Sequence, residues 1–164
     1  AAQWQHHARA WDERERLVVF PHRLAVEKRP VEFERLRRAY SEHYPDDEVQ
    51  WVRTKDVWTT KAEYYALLGR ARCAFSAALQ ETWGIAILEA ASLCCHPVVP
   101  NRLSYVDTFP HERRYTTMTD AVEQVHAALN APARYVYDGA RWECAVKRMV
   151  ETLRDWTWRG NGAR

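Results

Sequence analysis

The stretch "CAFSAALQETWGIAILEAASLC", Cys73 to Cys94, decides the reading of the fold. Cys73–Leu79 is a short uncharged run of strand length, and Gly84–Cys94 reads as a helix entered through a glycine. Working outward, the same alternation repeats. "RLVVF" (16–20) is apolar and β-branched, as a buried strand requires. The loop "PHRLAVEKRP" ends at Pro30, which suits the first position of a helix, and "VEFERLRRAYSEHY" follows with Phe33, Leu36 and Tyr40 on one face. "EVQWVRT" (48–54) alternates as a strand and "KAEYYALLGRA" (61–71) reads as a helix. Beyond the opening stretch, "PVVP" (97–100) is a short buried strand, and 119–131 and 140–156 are amphipathic helices. Strands alternating with helices imply βαβ units. The expectation is an α/β, Rossmann-like parallel sheet with helices on both faces. Residues 1–15 are polar and aromatic without a period and read as an interdomain connector, leaving 16–164 as the domain.

The chain has 164 residues, enough for one domain with a sizeable core. Hydrophobic residues make up 47% and charged residues 28%, a globular composition rather than a disordered one. A formal net charge of +2 gives no global field to attract nucleic acid or a membrane surface. No apolar run approaches the ~20 residues of a membrane span, and no signal-peptide pattern opens the chain. Cys73, Cys94, Cys95 and Cys144 form no disulfide framework at this size, so a reducing, cytoplasmic setting is expected. Neither GxGxxG nor GxxxxGK[ST] occurs, which argues against dinucleotide oxidoreductases and P-loop enzymes.

In open parallel sheets, ligands bind beyond the carboxyl ends of the strands. Two charged constellations fall there. After the strand at 73–79, Glu81 precedes Thr82, Trp83, Gly84 and Ile85, whose backbone N–H groups at a helix entrance favour anions. Glu89 follows eight residues after Glu81, within the apolar "AILEAASL", and a carboxylate there can accept two hydroxyls, as ribose recognition requires. After the strand at 16–20 come Arg23 and Lys28, able to clamp a diphosphate, one as a planar fork and one as a point charge. Spacing leaves a plainer reading open: Glu81 as a helix cap, Glu89 as a surface acid, Arg23 and Lys28 as solvated charges.

"HRLAVEKRP" with "ETWGIAILEAASLCCHPVVP" resembles the donor-binding half of retaining GT-B glycosyltransferases of family 4. That family pairs an Arg and a Lys in the first βα loop with two glutamates separated by seven residues. The likeness extends to the tRNA-queuosine mannosyltransferase-like branch, through His-Arg in the first motif, a Pro after the Lys, and "PNRLSYVDTFP" (100–110). It covers about residues 16–130. The resemblance implies that Arg23 and Lys28 bind the nucleotide-sugar diphosphate and stabilise it as it leaves. Glu81 contacts hydroxyls of the transferred sugar, assisted by the backbone of Thr82, Trp83, Gly84 and Ile85. Glu89 binds the ribose, and the base lies against Trp58–Lys61. It further implies GDP-mannose as donor, with UDP- and ADP-sugars as alternatives. No metal and no other cofactor is expected, tRNA is a candidate acceptor, and a missing N-terminal domain would bind that acceptor. The domain alone is then expected to bind donor weakly and transfer little.

Three positions depart from the family pattern. Cys94 stands where Gly is common, Tyr105-Val106-Asp107 replaces Tyr-Pro-Glu, and Gln80 replaces a frequent His. These departures keep a second reading open, a non-catalytic degenerate donor domain used for interaction. A third, a sugar-nucleotide phosphorylase or epimerase-like enzyme, rests on the same anion site. Several other groups read as structural. The triplet "CCH" (94–96) lacks the spacing of zinc ligands, and His6 and His7 read as connector surface. Tyr64 and Tyr65 pack a helix to the sheet. Arg35, Arg37 and Arg38 are a solvated helix face rather than an RNA contact.

Overall fold

A computed structural model describes residues 5–137. Five strands form one all-parallel sheet in the order β2-β1-β3-β4-β5. They are β1 (Glu15–Phe20), β2 (Gln50–Arg53), β3 (Ala71–Phe75), β4 (His96–Pro100) and β5 (Arg114–Tyr115). The helices between them are α1 (Pro30–His43), α2 (Lys61–Arg70), α3 (Ile85–Ser92), the single-turn α4 (Tyr105–Thr108) and α5 (Met118–Leu129). The expected Rossmann-like α/β architecture is therefore the observed one. The amphipathic helix read at 140–156, and Cys144 within it, lie outside the described residues. Among the described residues no helix is long and apolar enough to cross a membrane.

The alternation of β1 shows why helices cover both faces. Leu17 and Val19 pack with Leu67 and Leu68 of α2 and Ile87 and Ala90 of α3. Val18 and Phe20 pack with Phe33, Leu36 and Tyr40 of α1 and Val122 and Val125 of α5. A strand buried on both sides reads as a continuous apolar run because no face is left for water. Helix starts follow local chemistry as well. Pro30 opens α1, and capping boxes Thr60/Glu63 and Thr117/Asp120 open α2 and α5.

β3 ends at Phe75, four residues before its apolar run does. Ala77 and Ala78 are buried, yet their carbonyls accept from the Arg102 guanidinium at 3.2 and 3.1 Å rather than from a neighbouring strand. The Leu79 N–H donates to Glu27 O at 2.8 Å. The tail of the run is a buried loop, and apolar content alone does not separate that from a strand. β5, two residues within "RRYTT", carries no apolar run to signal it.

The described part of the expected connector lies against the domain. Arg9 N–H donates to Gly69 O at 3.3 Å, and Trp11 Nε1–H donates to Ala131 O at 2.9 Å. A side chain at Gly69 would strike the His7 backbone carbonyl, so that glycine permits the close approach.

Cys94 resolves the first family departure. It adopts φ 67, its N–H donates to Ala91 O at 2.9 Å, and the Cys95 N–H donates to Ala90 O at 3.0 Å. This is the paired closure of a Schellman motif, in which the left-handed residue is ordinarily glycine. Cysteine tolerates the left-handed conformation here at a steric cost. Cys94→Gly is therefore expected to stabilise the protein by about 1 kcal/mol. Urea unfolding would show a higher midpoint with an unchanged slope; an equal or lower midpoint would mean that the strain is offset by contacts of the thiol.

Candidate functional site

β1 connects to β2 on one side of it, while β3 on its other side connects onward to β4. The crevice beyond β1 and β3 is thus the switch point at which open α/β sheets bind ligands. Residues 21–29 and 76–84 form its walls. Lys28 Nζ donates to Gln80 O at 2.8 Å and to Glu81 Oε2 at 2.9 Å. Each side chain of that ion pair is only 13% exposed. Burial opposes ionisation of Glu81, but the hydrogen bond from Lys28, the Gly84 amide and the Lys28 charge outweigh it and hold the carboxyl below its usual range.

Gly84 is the N-cap of α3 at φ 66, and a Cβ there would lie 2.7 Å from Tyr105 Cε1. Both the left-handed backbone and the tyrosine ring demand glycine. Thr82 and Ile85 are exposed and Trp83 is half-buried around this entrance. The first two amides of α3, those of Ile85 and Ala86, precede the first bonds to the N-cap carbonyl, which Ile87 and Leu88 make to Gly84 O.

The sequence-derived site residues fall into two groups. Lys28, Glu81 and Gly84 are gathered at the crevice. Arg23 shares the loop of Lys28, but its side chain is 69% exposed and pairs with Glu27. Glu89 forms a second centre against α2. Its Oε1 accepts from Lys61 Nζ and from the Tyr65 hydroxyl, each at 2.9 Å, and its Oε2 accepts from the Tyr64 hydroxyl at 3.0 Å. Glu89 is accordingly a partly buried, fully engaged carboxylate and not a solvated acid. The Lys61 ammonium also rests over the Tyr64 and Tyr65 rings at 4.7 and 4.8 Å. Trp58 packs on Tyr64 with ring centroids 5.4 Å apart, and Lys55 Nζ lies 4.2 Å above the indole. The segment Trp58–Lys61 therefore adjoins Glu89.

Sequence reasoning missed the floor of the crevice. His22 Nε2 meets Ser76 Oγ at 2.8 Å, Ser76 Oγ meets the Tyr105 hydroxyl at 2.9 Å, and the Tyr115 hydroxyl donates to Ser76 O at 2.9 Å. The available signal was Ser76, the single polar residue in "CAFSAAL". The two tyrosyl donors to Glu89 were read only as packing residues, because phenol and ring are not separable from spacing. The triplet at 94–96 is split in space. Cys95 Sγ donates to Leu68 O at 3.1 Å, while His96 Nε2 meets Ala133 O at 2.9 Å.

Fold and crevice together define a Rossmann-like α/β domain with an anion-compatible polar site at its switch point. No family model matches the chain. Over 72 residues it is 32% identical to the tRNA-queuosine alpha-mannosyltransferase of Drosophila melanogaster, an alignment covering 44% of the chain and 19% of that protein. The similarity is to a glycosyltransferase, and the chain aligns to about a fifth of that relative's length.

Proposed function

We propose that this chain is the nucleotide-sugar-binding part of a retaining glycosyltransferase that transfers a hexose, with GDP-mannose as donor. One observation carries the reading most: a lysine and a glutamate from the β1 and β3 loops meet at the glycine-capped entrance of α3. A diphosphate entering the crevice competes with Glu81 for the Lys28 ammonium and takes the free amides of α3. Arg23, largely exposed on the same loop, turns from Glu27 to the second phosphate. Glu81, released, accepts hydroxyls of the transferred sugar. Glu89 exchanges the Lys61 ammonium for the ribose diol, and Trp58 offers a face to the base. Cations held at the leaving diphosphate stabilise charge as it develops there, which needs no metal ion. The acceptor is tRNA, by the name of the aligned relative, and a further domain of the whole protein binds it in the cytoplasm.

Calorimetric titration of GDP, UDP, ADP and GDP-mannose tests the proposal. GDP and GDP-mannose are expected to bind, with affinity falling at least tenfold in Lys28→Ala and Glu89→Ala and lost in the Arg23→Ala/Lys28→Ala double variant. Unchanged affinity in those variants removes the assignment. One observation favours the degenerate-module reading: both glutamates are already engaged by lysines of the same chain. Nucleotide binding by the wild type, with the loss in Glu89→Ala, would exclude it as the account of Glu89.

A further inference from the structure

The proton inventory beneath Lys28 and Glu81 fixes more than a packing contact. Ser76 Oγ has one proton to give and two lone pairs. The Ala78 N–H, 3.3 Å away, takes one lone pair. The Tyr105 hydroxyl is part of a fully buried side chain whose one hydrogen-bond partner among the described residues is Ser76 Oγ, so its proton goes to the second lone pair. Ser76 must then donate its own proton to His22 Nε2. An Nε2 that accepts leaves the imidazole proton on Nδ1. His22 is 3% exposed, its ring is fixed edge-on to Phe20 with centroids 5.2 Å apart, and Nδ1 has no hydrogen-bond partner among the described residues.

We infer that His22 is a ligand-contacting residue, locked by Tyr105 and Ser76 in the tautomer that offers Nδ1–H to a diphosphate oxygen beside Lys28. The inference rests on the diphosphate reading of the crevice and adds to it a donor that carries no charge. Both neighbours fit this role. The Lys28 ammonium disfavours a second cation at the same spot, while a neutral N–H adds a directed hydrogen bond without Coulombic cost. Burial pushes the imidazole down to about 4, with Glu81 opposing and Lys28 assisting, so the ring stays neutral at physiological pH. Tyr105 thereby serves two purposes. Its ring edge requires glycine at position 84, and its hydroxyl orients the histidine through Ser76. Ser76 and Tyr105 are positioning residues and His22 is the contact.

Nitrogen-15 NMR of the uniformly labelled 164-residue chain, reading backbone amides and histidine ring nitrogens, tests this with inorganic pyrophosphate and GDP as separate probes. His22 is expected to show a protonated Nδ1 and an unprotonated Nε2, and Ser76→Ala to redistribute the proton between them. Either probe should move the Nδ1–H resonance downfield, and His22→Phe should weaken pyrophosphate binding about tenfold, by the same factor at pH 5.5 and pH 8. If the probes shift the Lys28 and Gly84 amides while the His22 ring signals stay still, or if His22→Phe binds as the wild type, the role of His22 is overturned and the diphosphate site stands. If neither probe perturbs any of these resonances, both readings fall together. Should His22→Phe not fold, the wild-type ring signals decide alone.

Discussion

Arg14→Ala is expected to lower the unfolding free energy by about 3 kcal/mol, the largest effect of any single substitution considered for this protein. Arg14 is 3% exposed and has no carboxylate partner among the described residues. Its guanidinium instead donates to Ala71 O at 2.8 Å, to Leu93 O, and to Arg9 O at 3.2 Å. Ala71 and Leu93 are the C-cap residues of α2 and α3, so one cation lies at the negative ends of two helices. A buried charge of this kind is tolerated because each guanidinium nitrogen has an acceptor and the helix dipoles supply the counter-charge. Alanine would remove the guanidinium donor from the buried carbonyl ends of two helices, leaving only the weak Cys95 thiol on Ala71 O, and each buried group so under-satisfied costs about 1–3 kcal/mol. Arg14→Lys keeps the charge but cannot span both helix ends, so it should recover about half of the loss. Urea unfolding of the three proteins checks this: midpoints should fall in the order wild type, Lys, Ala, and equal midpoints would show that water replaces the guanidinium without penalty. Arg14 sits in the segment that reads as a connector, so a chain begun at residue 16, which also loses the Trp11 hydrogen bond and the Glu15–Arg70 pair, should be at least as unstable as the alanine variant.

Arg14 also marks what the sequence could not disclose. The run "DERER" around it is charged throughout, and no local pattern tells the buried arginine from the exposed Asp12 and Glu13 or the half-buried Glu15 and Arg16. The partners that bury it are backbone carbonyls 57 and 79 residues away. The architecture, by contrast, was legible because it depends on local chemistry. Two-sided burial makes "RLVVF" a continuous apolar run, Pro30 marks a helix start, and the strand–helix alternation dictates a parallel sheet. Legibility fell where a residue's role is set by contacts distant in sequence. "SAAL" reads as strand, yet Arg102 and Glu27 hold it as a loop. The site shows the same division. Lys28, Glu81 and Gly84 could be placed together from loop positions on a parallel sheet. The pairing of Arg23 with Glu27 and of Glu89 with Lys61 and two tyrosines depends on side-chain geometry that spacing does not contain.

Between pH 7 and pH 5 the protein is expected to lose about 3 kcal/mol of stability, before its carboxylates begin to titrate. Two buried histidines cause this. His22 and His96 are each pushed down to about 4, burial being the main cause in both. In the unfolded chain each would take up a proton near its ordinary value of about 6.5. The sign follows directly: between about 6.5 and about 4 the unfolded state binds protons that the folded state refuses, so stability is complete above that window and drains away as pH falls through it. Each ring contributes about 1.5–2 kcal/mol by pH 5. The environments explain why neither ring charges in place. His96 Nε2 meets the Ala133 carbonyl, and Nδ1 is buried with no partner among the described residues, so a second proton finds no acceptor among them. Trp11 and Tyr135 wall the ring, and the charges of Arg113 and Arg14 repel a cation there. His22 has Ser76 on Nε2 and the Lys28 charge nearby, with Glu81 too weak an attraction to offset burial. Glu15, Asp47 and Glu81 are held below their usual range, so their contributions vanish only at more acidic pH and leave the histidine window separate. Urea unfolding at pH 7, 6 and 5 should show midpoints falling with pH. His96→Gln, which keeps a side-chain N–H for the Ala133 carbonyl, should remove about half of that slope, and His22→Gln the other half. A flat wild-type profile would mean that both rings accept protons in the folded protein, and that the desolvation assigned to them is relieved by water.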